Sequence, residues 1–435
     1  MRVSRRDFLK TGLAGAGVFS TASLIPNWIV KSAQAIQDHS GEDRVLIIVQ
    51  LEGGNDSLNT LVPFQDNRYY IARPNISIPA NQVLPIDSLN GFNPNLPDFV
   101  TWFNDGKMAV IQNVGYPNPD LSHFISTAYW EQGVVPGGPL VSELGWMGRA
   151  FDQDCGTMPN VSPITMVGAG HSKVPGSLLA NTFTAPAIVS ENSYQIVGTA
   201  DPALGPILSQ FNTRRLADLH ALNDIPTLDP AIDFIQRTEN VAEASISIVQ
   251  NLPPNSSLPT YPNTRLGRDL RLCAKLIRSG FSPRVLHVRQ GGYDTHANQT
   301  IDHPPLLSDL NDAIHAFLSD MESLGALDRV LLMTFSEFGR RVGDNDSDGT
   351  DHGAASLLFV MGGKVTPGIF GGQPDLLNLQ NGNLIQQYDF RNVYADILED
   401  WFLVNPSAIF GQTWSNIGFL SGANINKARR WKAYR

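Results

Sequence analysis

The sequence predicts an α/β protein whose central sheet is mostly parallel and doubly wound. The first observation is a set of short runs that are apolar on both faces, as in strands of a parallel sheet covered on both sides. The second is that helical patterns separate these runs, and the third is that polar, glycine-rich segments follow them directly. The predicted strands are Val45–Leu51, Met108–Val114, Arg284–Arg289, Arg329–Phe335 and Ser356–Met361.

The helical patterns between the runs have the spacing of amphipathic helices packed on a sheet. The predicted helices are Pro97–Asn104, Ser122–Gln132, Thr264–Ser279, Leu306–Leu324 and Asp389–Leu403. The stretch 155–262 is less regular and richer in Pro, Asn and Ser, and it predicts an insertion or cap with its own helices near 204–221 and 230–251. We therefore expect one domain over 44–435 that carries this insertion.

Composition excludes several classes of protein. With 435 residues, 42% hydrophobic and 17% charged, the chain can build a large core, and it matches neither a disordered protein nor a coiled coil. A net charge of −10 argues against a nucleic-acid partner. Cys155 and Cys273 are too few for a four-cysteine zinc site, so a metal would need His, Asp or Glu ligands. The two thiols can form a disulfide in an oxidising compartment or remain free.

The first 35 residues have the pattern of an export signal. Ser4–Lys10 contains paired arginines followed by Phe-Leu-Lys, an apolar stretch covers Thr11–Val30, and Ala33–Ala35 is a small-x-small cleavage site. The segment predicts transport by the twin-arginine translocase to the periplasm or outside the cell. Pro26 and Asn27 interrupt the apolar stretch, and no other stretch reaches about 18 apolar residues, so we expect no stable membrane anchor.

Acidic and imidazole side chains concentrate in the segments that follow the predicted strands. Ligands of open α/β sheets bind at the carboxyl ends of the strands. A carboxylate–histidine set there favours zinc, with manganese, iron or calcium as alternatives. The candidate metal ligands are Asp56, Asp294, His296, Glu337, Asp351 and His352, with His123 as a further candidate.

Each of these motifs has a plainer interpretation when taken alone. A loop carboxylate such as Asp294 can cap backbone amides, and His352 can be an ordinary hydrogen-bonded histidine. Asp344–Gly349 matches the first half of an EF-hand loop, but Ala355 occupies the position of the bidentate glutamate, which favours a solvated turn. The recurrence of such residues after successive strands is what indicates a metal site.

Three further residues are candidates for catalysis. Ser122 begins a predicted helix, where a hydroxyl either caps the helix or, beside a divalent metal, acts as a nucleophile. His123 can ligate a metal, act as an acid or pack in the core. Arg340 either holds an anionic substrate or forms a salt bridge.

Five motifs together resemble an exported bacterial family known as domain of unknown function 1501. The resemblance covers nearly the whole chain from about residue 44. The motifs are Gly53–Asp56, Ser122–Phe124, Gly291–His296, Ser336–Arg340 and Gly349–Gly353.

That family looks like a distant relative of the alkaline phosphatase and sulfatase superfamily. The resemblance implies an α/β/α sandwich with one or two metals at the strand ends and a nucleophile at Ser122. It also implies that the metal ligands are Asp56, Asp294, His296, Glu337 and His352.

The sequence departs from the superfamily pattern at a few positions. Phe338 stands where a histidine follows the acid of the second metal site, which His123 or Asp351 would then have to complete. The chain also lacks the Cys-x-Pro-x-Arg segment that sulfatases convert to formylglycine.

Two functional hypotheses follow. The first is that the protein is an exported metal-dependent hydrolase of a small anionic ester. Phosphate esters are favoured as its substrates over sulfate esters. The alternative is a non-catalytic periplasmic protein on the same scaffold that binds a partner or a glycan.

Overall fold

The computed structural model describes residues 44–136, 143–155, 166–181, 184–194, 232, 245–246, 248–279 and 283–420. The predicted signal segment 1–35 lies outside these residues, as do the predicted helix near 204–221 and most of the one near 230–251.

The described residues form fourteen strands, numbered here along the chain. They are β1 (Val45–Glu52), β2 (Leu61–Val62), β3 (Leu84–Pro85), β4 (Gly91–Phe92), β5 (Met108–Gly115), β6 (Met166–Ala169), β7 (Ala187–Ile188), β8 (Val285–Gly291), β9 (Val330–Phe335), β10 (Gly339–Arg340), β11 (His352–Gly353), β12 (Ser356–Gly362), β13 (Gly368–Phe370) and β14 (Tyr388–Asp389).

The helices fall between these strands. In the same order they are α1 (Ser57–Thr60), α2 (Asn67–Ala72), α3 (Pro97–Asn104), α4 (His123–Gln132), α5 (Trp146–Cys155), α6 (Arg265–Arg278), α7 (Gln299–Ser323), α8 (Phe390–Asp396) and α9 (Pro406–Phe410), with a π-helical turn (Ile397–Phe402) after α8.

Nine strands form the central sheet in the order β13-β5-β12-β9-β1-β8-β6-β7, with β14 also beside β5. Every pair in it is parallel except those of β12, which runs antiparallel to both β5 and β9. The prediction of a mostly parallel α/β sheet is confirmed. The sequence could not show the reversal of β12, because a strand buried on both faces is apolar throughout in either direction.

The sheet is the middle layer of an α/β/α sandwich. Successive residues of β1 enter different cores, since side chains of a strand alternate between its faces. Val45 and Ile47 pack with α3, α6 and α7, whereas Leu46 and Ile48 pack with α4, α5, α8 and α9.

Two predicted boundaries differ from the structure. Residues 166–169 and 187–188, which lie within the predicted insertion, form β6 and β7 at one edge of the central sheet. Helix α7 begins at Gln299 instead of Leu306, and Pro304 and Pro305 lie inside it. The prolines concealed the first two turns, because a proline in a helical pattern ordinarily marks a boundary.

Cys273 is a free thiol buried on α6. Within the described ranges, none of the helices combines the length and the apolar character that crossing a membrane requires.

Candidate metal centre

The residues of the candidate centre come from segments that meet at the carboxyl ends of the parallel strands. His123 is the first residue of α4, after β5, and Glu337 follows β9. Asp294 and His296 lie between β8 and α7, and His352 begins β11. Because β5, β9, β1 and β8 run in the same direction, their carboxyl ends lie at one edge of the sheet.

The imidazole Nε2 atoms of three histidines surround the carboxylate of Asp294. His296 Nε2 and His352 Nε2 each lie 3.1 Å from Asp294 Oδ1, and 2.9 Å from one another. His123 Nε2 lies 3.3 Å from the second oxygen, Oδ2. Ligand atoms of His123, Asp294 and His352 all fall within 4.8 Å of one another.

The opposite ring nitrogens are held by oxygen atoms. His352 Nδ1 lies 2.8 Å from the carbonyl oxygen of Leu121, and His123 Nδ1 lies 2.8 Å from Glu337 Oε1. A carbonyl oxygen can only accept, so His352 carries its proton on Nδ1 and presents the Nε2 lone pair to the centre. Such outer contacts are the usual way in which proteins orient metal-binding histidines.

The charges of the centre favour a bound cation. Burial raises the pKa of Asp294, but the hydrogen bond from Arg340 and the positive charge of its guanidinium outweigh this and lower it. Burial also lowers the pKa of His352, which keeps the imidazole neutral at pH 7. The Nε2 lone pair of His352 therefore faces an ionised carboxylate oxygen at 3.1 Å. A cation between these atoms removes the repulsion.

The donor set is of a kind that divalent metals accept. Imidazole nitrogens and a carboxylate oxygen are the ligands that zinc accepts at about 2.0–2.1 Å, in tetrahedral sites with neighbouring ligands about 3.3 Å apart. His296 Nε2, His352 Nε2 and Asp294 Oδ1 lie 2.9–3.1 Å apart, His123 Nε2 lies 3.3 Å from Asp294 Oδ2, and the ligand atoms of His123, Asp294 and His352 fall within 4.8 Å of one another. Manganese, iron and calcium remain alternatives.

Two of the predicted ligands lie around the centre and contact its histidines. Glu337 is buried, and its Oε1 accepts from the Gly53 N–H at 2.9 Å besides contacting His123. Asp351 Oδ1 lies 3.5 Å from His296 Nδ1, and half of its side chain is exposed. In this arrangement both carboxylates orient imidazoles.

The structure does not bring Asp56 to this group. Its buried carboxylate pairs with Arg73 at 2.6 and 3.0 Å, accepts from Gln299, and caps α1 through the Leu58 N–H. Burial raises the pKa of Asp56, but Arg73 outweighs this and the net shift is downward. Arg73 was not predictable from the sequence, because no motif marks an arginine seventeen residues downstream of the aspartate it neutralises.

Arg340 is not placed to meet a substrate, contrary to the expectation from sequence. Its side chain is fully buried, and Nε and Nη1 donate to the carbonyl oxygens of Gly54 and Thr350. Nη2 donates to the carbonyls of Gly53 and Tyr293 and to Asp294 Oδ1. Arg340 thus joins three site loops and orients Asp294.

Gly53 is required by the close approach of two loops. Its φ is +121°, and a Cβ built on it would lie 2.4 Å from the backbone nitrogen of Asp294. Only glycine fits both the conformation and the space. The glycine of this motif therefore allows the β1 loop to pack directly against the residue at the middle of the centre.

Ser122 occupies the N-cap position of α4, but its hydroxyl makes no capping hydrogen bond. Its backbone N–H donates to Asp120 Oδ1 at 2.8 Å, and the residue is half-buried beside His123. The hydroxyl is therefore not committed to the helix, in contrast to Asp56 at the start of α1.

The Asp344–Gly349 segment forms a local turn. Asn345 Oδ1 accepts from the backbone N–H groups of Ser347 and Gly349 at 3.0 and 3.2 Å, and Asp344 accepts from the Asn75 N–H at 2.9 Å. Because local hydrogen bonds organise the loop, the solvated-turn interpretation accounts for it.

A family model described as "Protein of unknown function (DUF1501)" matches residues 247–405. This span includes Asp294, His296, Glu337, Asp351 and His352, so the predicted resemblance is confirmed for that part of the chain. No curated protein matches the chain. Among solved structures the chain is similar to the PsFucS1 sulfatase from Pseudoalteromonas sp. The sequence identity is 10%, the TM-score is 0.35, and the match covers 80% of this chain and 68% of the other. A likeness at this level says nothing about what this chain binds or cleaves.

Proposed function

We propose that this protein is a metal-dependent hydrolase of phosphate esters, with sulfate esters as the second class. The observation that carries the proposal is the convergence of three imidazoles on one carboxylate, with the Nε2 atoms of His123, His296 and His352 at 3.1–3.3 Å from the oxygens of Asp294. Zinc is the favoured ion.

His123, Asp294, His296 and His352 would hold the ion. A divalent ion held there would act as a Lewis acid toward an ester oxygen and would lower the pKa of water toward ~7. Glu337 and the Leu121 carbonyl keep the imidazoles of His123 and His352 turned toward it.

Ser122 is the proposed nucleophile. Its hydroxyl makes no capping hydrogen bond, and the residue precedes His123. Ser122 lies at the amino end of a ten-residue helix, where the dipole and the unpaired N–H groups favour an anion. In this role Ser122 Oγ gives its proton to water and attacks the phosphorus as the ester P–O bond breaks, and the alcohol leaves with a proton from water. The field of the helix stabilises the negative charge that develops, and a water molecule then hydrolyses the phosphoserine to phosphate and the free hydroxyl.

Export belongs to the proposal as well. The twin-arginine pattern of residues 1–35 supports passage through the twin-arginine translocase to the periplasm or the outside. The relation to the alkaline phosphatase and sulfatase superfamily is likewise a proposal, supported by the motifs and the sandwich architecture.

Elemental analysis of protein purified without chelator or His-tag tests the metal centre. We expect near-stoichiometric metal in the wild type and loss of most of it in Asp294→Asn and His352→Ala. Asp346→Asn is the matched control, because Asp346 is exposed in the nearby turn. Full metal content in both site variants would refute this centre.

A screen of phosphate and sulfate esters with the identified metal then tests the reaction. Ser122→Ala should reduce kcat by at least a hundredfold while the metal content stays unchanged, because the substitution removes the nucleophile and none of the ligands.

The second candidate is a non-catalytic binding protein on this scaffold. The ion pair between Asp56 and Arg73 favours this candidate, since the resemblance assigns the Asp56 carboxylate to a metal. Under this hypothesis the metal is present, no ester is turned over, and Ser122→Ala leaves the binding of a partner or glycan intact.

A further inference from the structure

A second group of charged residues lies beside the centre, on the β6 side of β8. Arg289, near the end of β8, donates through Nη1 to Glu52 Oε1 at 3.0 Å. Its Nε is buried without a hydrogen-bond partner, and about a third of the side chain is exposed. Within the described ranges, Glu52 is the group that accepts a hydrogen bond from this guanidinium, so Nη2 remains available to a ligand.

A second guanidinium reaches the same place from α6. Arg265 Nη2 donates to the Gly170 carbonyl at 2.8 Å, next to His171, and about half of its side chain is exposed. His171 is 6% exposed and lies 3.1 Å from His287 through their ring nitrogens. Burial lowers the pKa of His171 to about 3, and the charges of Arg289 and Arg265 add to the shift. Gly168 pairs with His287 across β6 and β8, and two residues further along in each case come Gly170, which Arg265 contacts, and Arg289, so the register brings the two arginines to one place.

The acidic neighbours only partly offset these two positive charges. Glu52 pairs with Arg289, while Asp269 lies 3.8 Å from Arg265 Nε. Burial raises the pKa of Asp269 to about 7, so at neutral pH this carboxyl carries only part of a charge. Among the described residues, Glu131 is a further acid that interacts with Glu52. Burial raises the pKa of Glu131 too, and its carboxylate accepts the Gly176 N–H at 3.0 Å.

We propose that Arg289 and Arg265 form an anion-binding subsite beside His171 that holds a second negative group of the substrate. Strand β6 is the direct neighbour of β8, whose following loop carries Asp294. Because Arg289 lies near the carboxyl end of β8 and Asp294 lies in the loop that follows, the subsite and the metal centre share one edge of the sheet. The substrate class is a phosphate or sulfate ester that carries a second phosphate, sulfate or carboxylate. This substrate assignment rests on the proposed function, whereas the subsite itself does not.

Inorganic sulfate tests the subsite without any turnover. Calorimetric titration of the full chain in the presence of chelator should show sulfate binding that weakens at least tenfold in Arg289→Gln and in Arg265→Gln, since each removes a charge-assisted donor. Arg268→Gln is the matched control, because Arg268 is exposed on the same helix and its guanidinium donates to Asn263. Equal affinity in the wild type and both subsite variants would overturn the proposal. Two arginines on different elements keep the test decisive if one variant fails to fold.

A pair of esters then tests the substrate class with the metal supplied. We expect the kcat/KM for phosphate release to be higher for glucose 1,6-bisphosphate than for glucose 6-phosphate. Arg289→Gln should reduce this preference at least tenfold by raising the KM for the bisphosphate. An equal loss on both esters would refute the specificity role. Absence of turnover of either ester by the wild type, with sulfate binding retained, would refute the hydrolase and leave the subsite standing.

Discussion

Among single residues, Arg340 connects the loops of the centre most directly. Each of its side-chain nitrogens donates a hydrogen bond to a carbonyl group of one of three loops or to Asp294, and none of its side chain is exposed. Arg340→Lys keeps the charge but loses the planar fork that makes these bonds. We expect the free energy of unfolding to fall by about 3 kcal/mol, as when one partner of a buried pair is removed. Metal affinity should fall at least tenfold, because Asp294 loses its orientation.

Urea unfolding and a competition titration with a zinc chelator measure the two effects of Arg340→Lys. Arg341→Lys is the control, because that side chain is about half exposed and lies 4.0 Å from Asp351. Unchanged stability and metal affinity in Arg340→Lys would show that the loops hold Asp294 without the guanidinium.

The sequence predicts which types of residue form the centre better than it predicts the contacts that these residues make. Asp294, His296 and His123 were found from their positions after strands and His352 from the segment before the last predicted strand, and they do meet. Asp56 and Glu337 carry the same chemistry, but Arg73 and the Gly53 N–H engage their oxygens. Such partners are distant in sequence or belong to the backbone, so no motif identifies them.

At the scale of elements, the end of α8 fixes the last described segment of the chain. The Asp396 carboxylate accepts from the N–H groups of Ile417 and Gly418 at 2.9–3.1 Å and is almost completely buried. Burial raises the pKa of Asp396 to about 7. The folded protein therefore keeps this proton at pH values where the unfolded chain has lost it. The stability gained from the proton is fully present below about pH 4 and is lost as the pH rises through about 7.

Asp396→Asn removes this titration. The free energy of unfolding of the variant, relative to the wild type, should rise by up to about 4 kcal/mol between pH 4 and pH 7, since each pKa unit corresponds to about 1.4 kcal/mol. Denaturant unfolding at a series of pH values measures the difference, and exposed Asp346→Asn should show none. A difference that stays constant with pH would contradict the assignment.

Strands and helices were predictable where a local pattern decides them. The runs of β1, β5, β8 and β9 are apolar on both faces, and α3 matches its predicted bounds of Pro97–Asn104. The short strands β6 and β7 carry too few residues to show a pattern, and their place in the sheet depends on pairing with β8.

For the whole molecule, strand order decides which loops can share a ligand. The sequence predicted the class of sheet but not the order, because neighbours such as β1 and β9 are separated by most of the chain. The observed order places the end of β1 between those of β8 and β9, so the loops with Asp294 and Glu337 meet at Gly53. A ligand bound there joins segments from His123 to His352.

A metal held between such distant segments binds the folded chain and not the unfolded one, so it must stabilise the whole domain. At a free zinc concentration of about 100 Kd the gain is about 2.7 kcal/mol, which corresponds to a rise in Tm of several degrees. We expect chelator to lower the Tm by that amount and zinc to restore it, as followed by circular dichroism. Asp294→Asn should respond to neither, while Asp346→Asn should behave as the wild type. If zinc raised the Tm of Asp294→Asn as much as that of the wild type, the stabilising ion would lie elsewhere, because no zinc centre of this geometry survives without the carboxylate that all three imidazoles face.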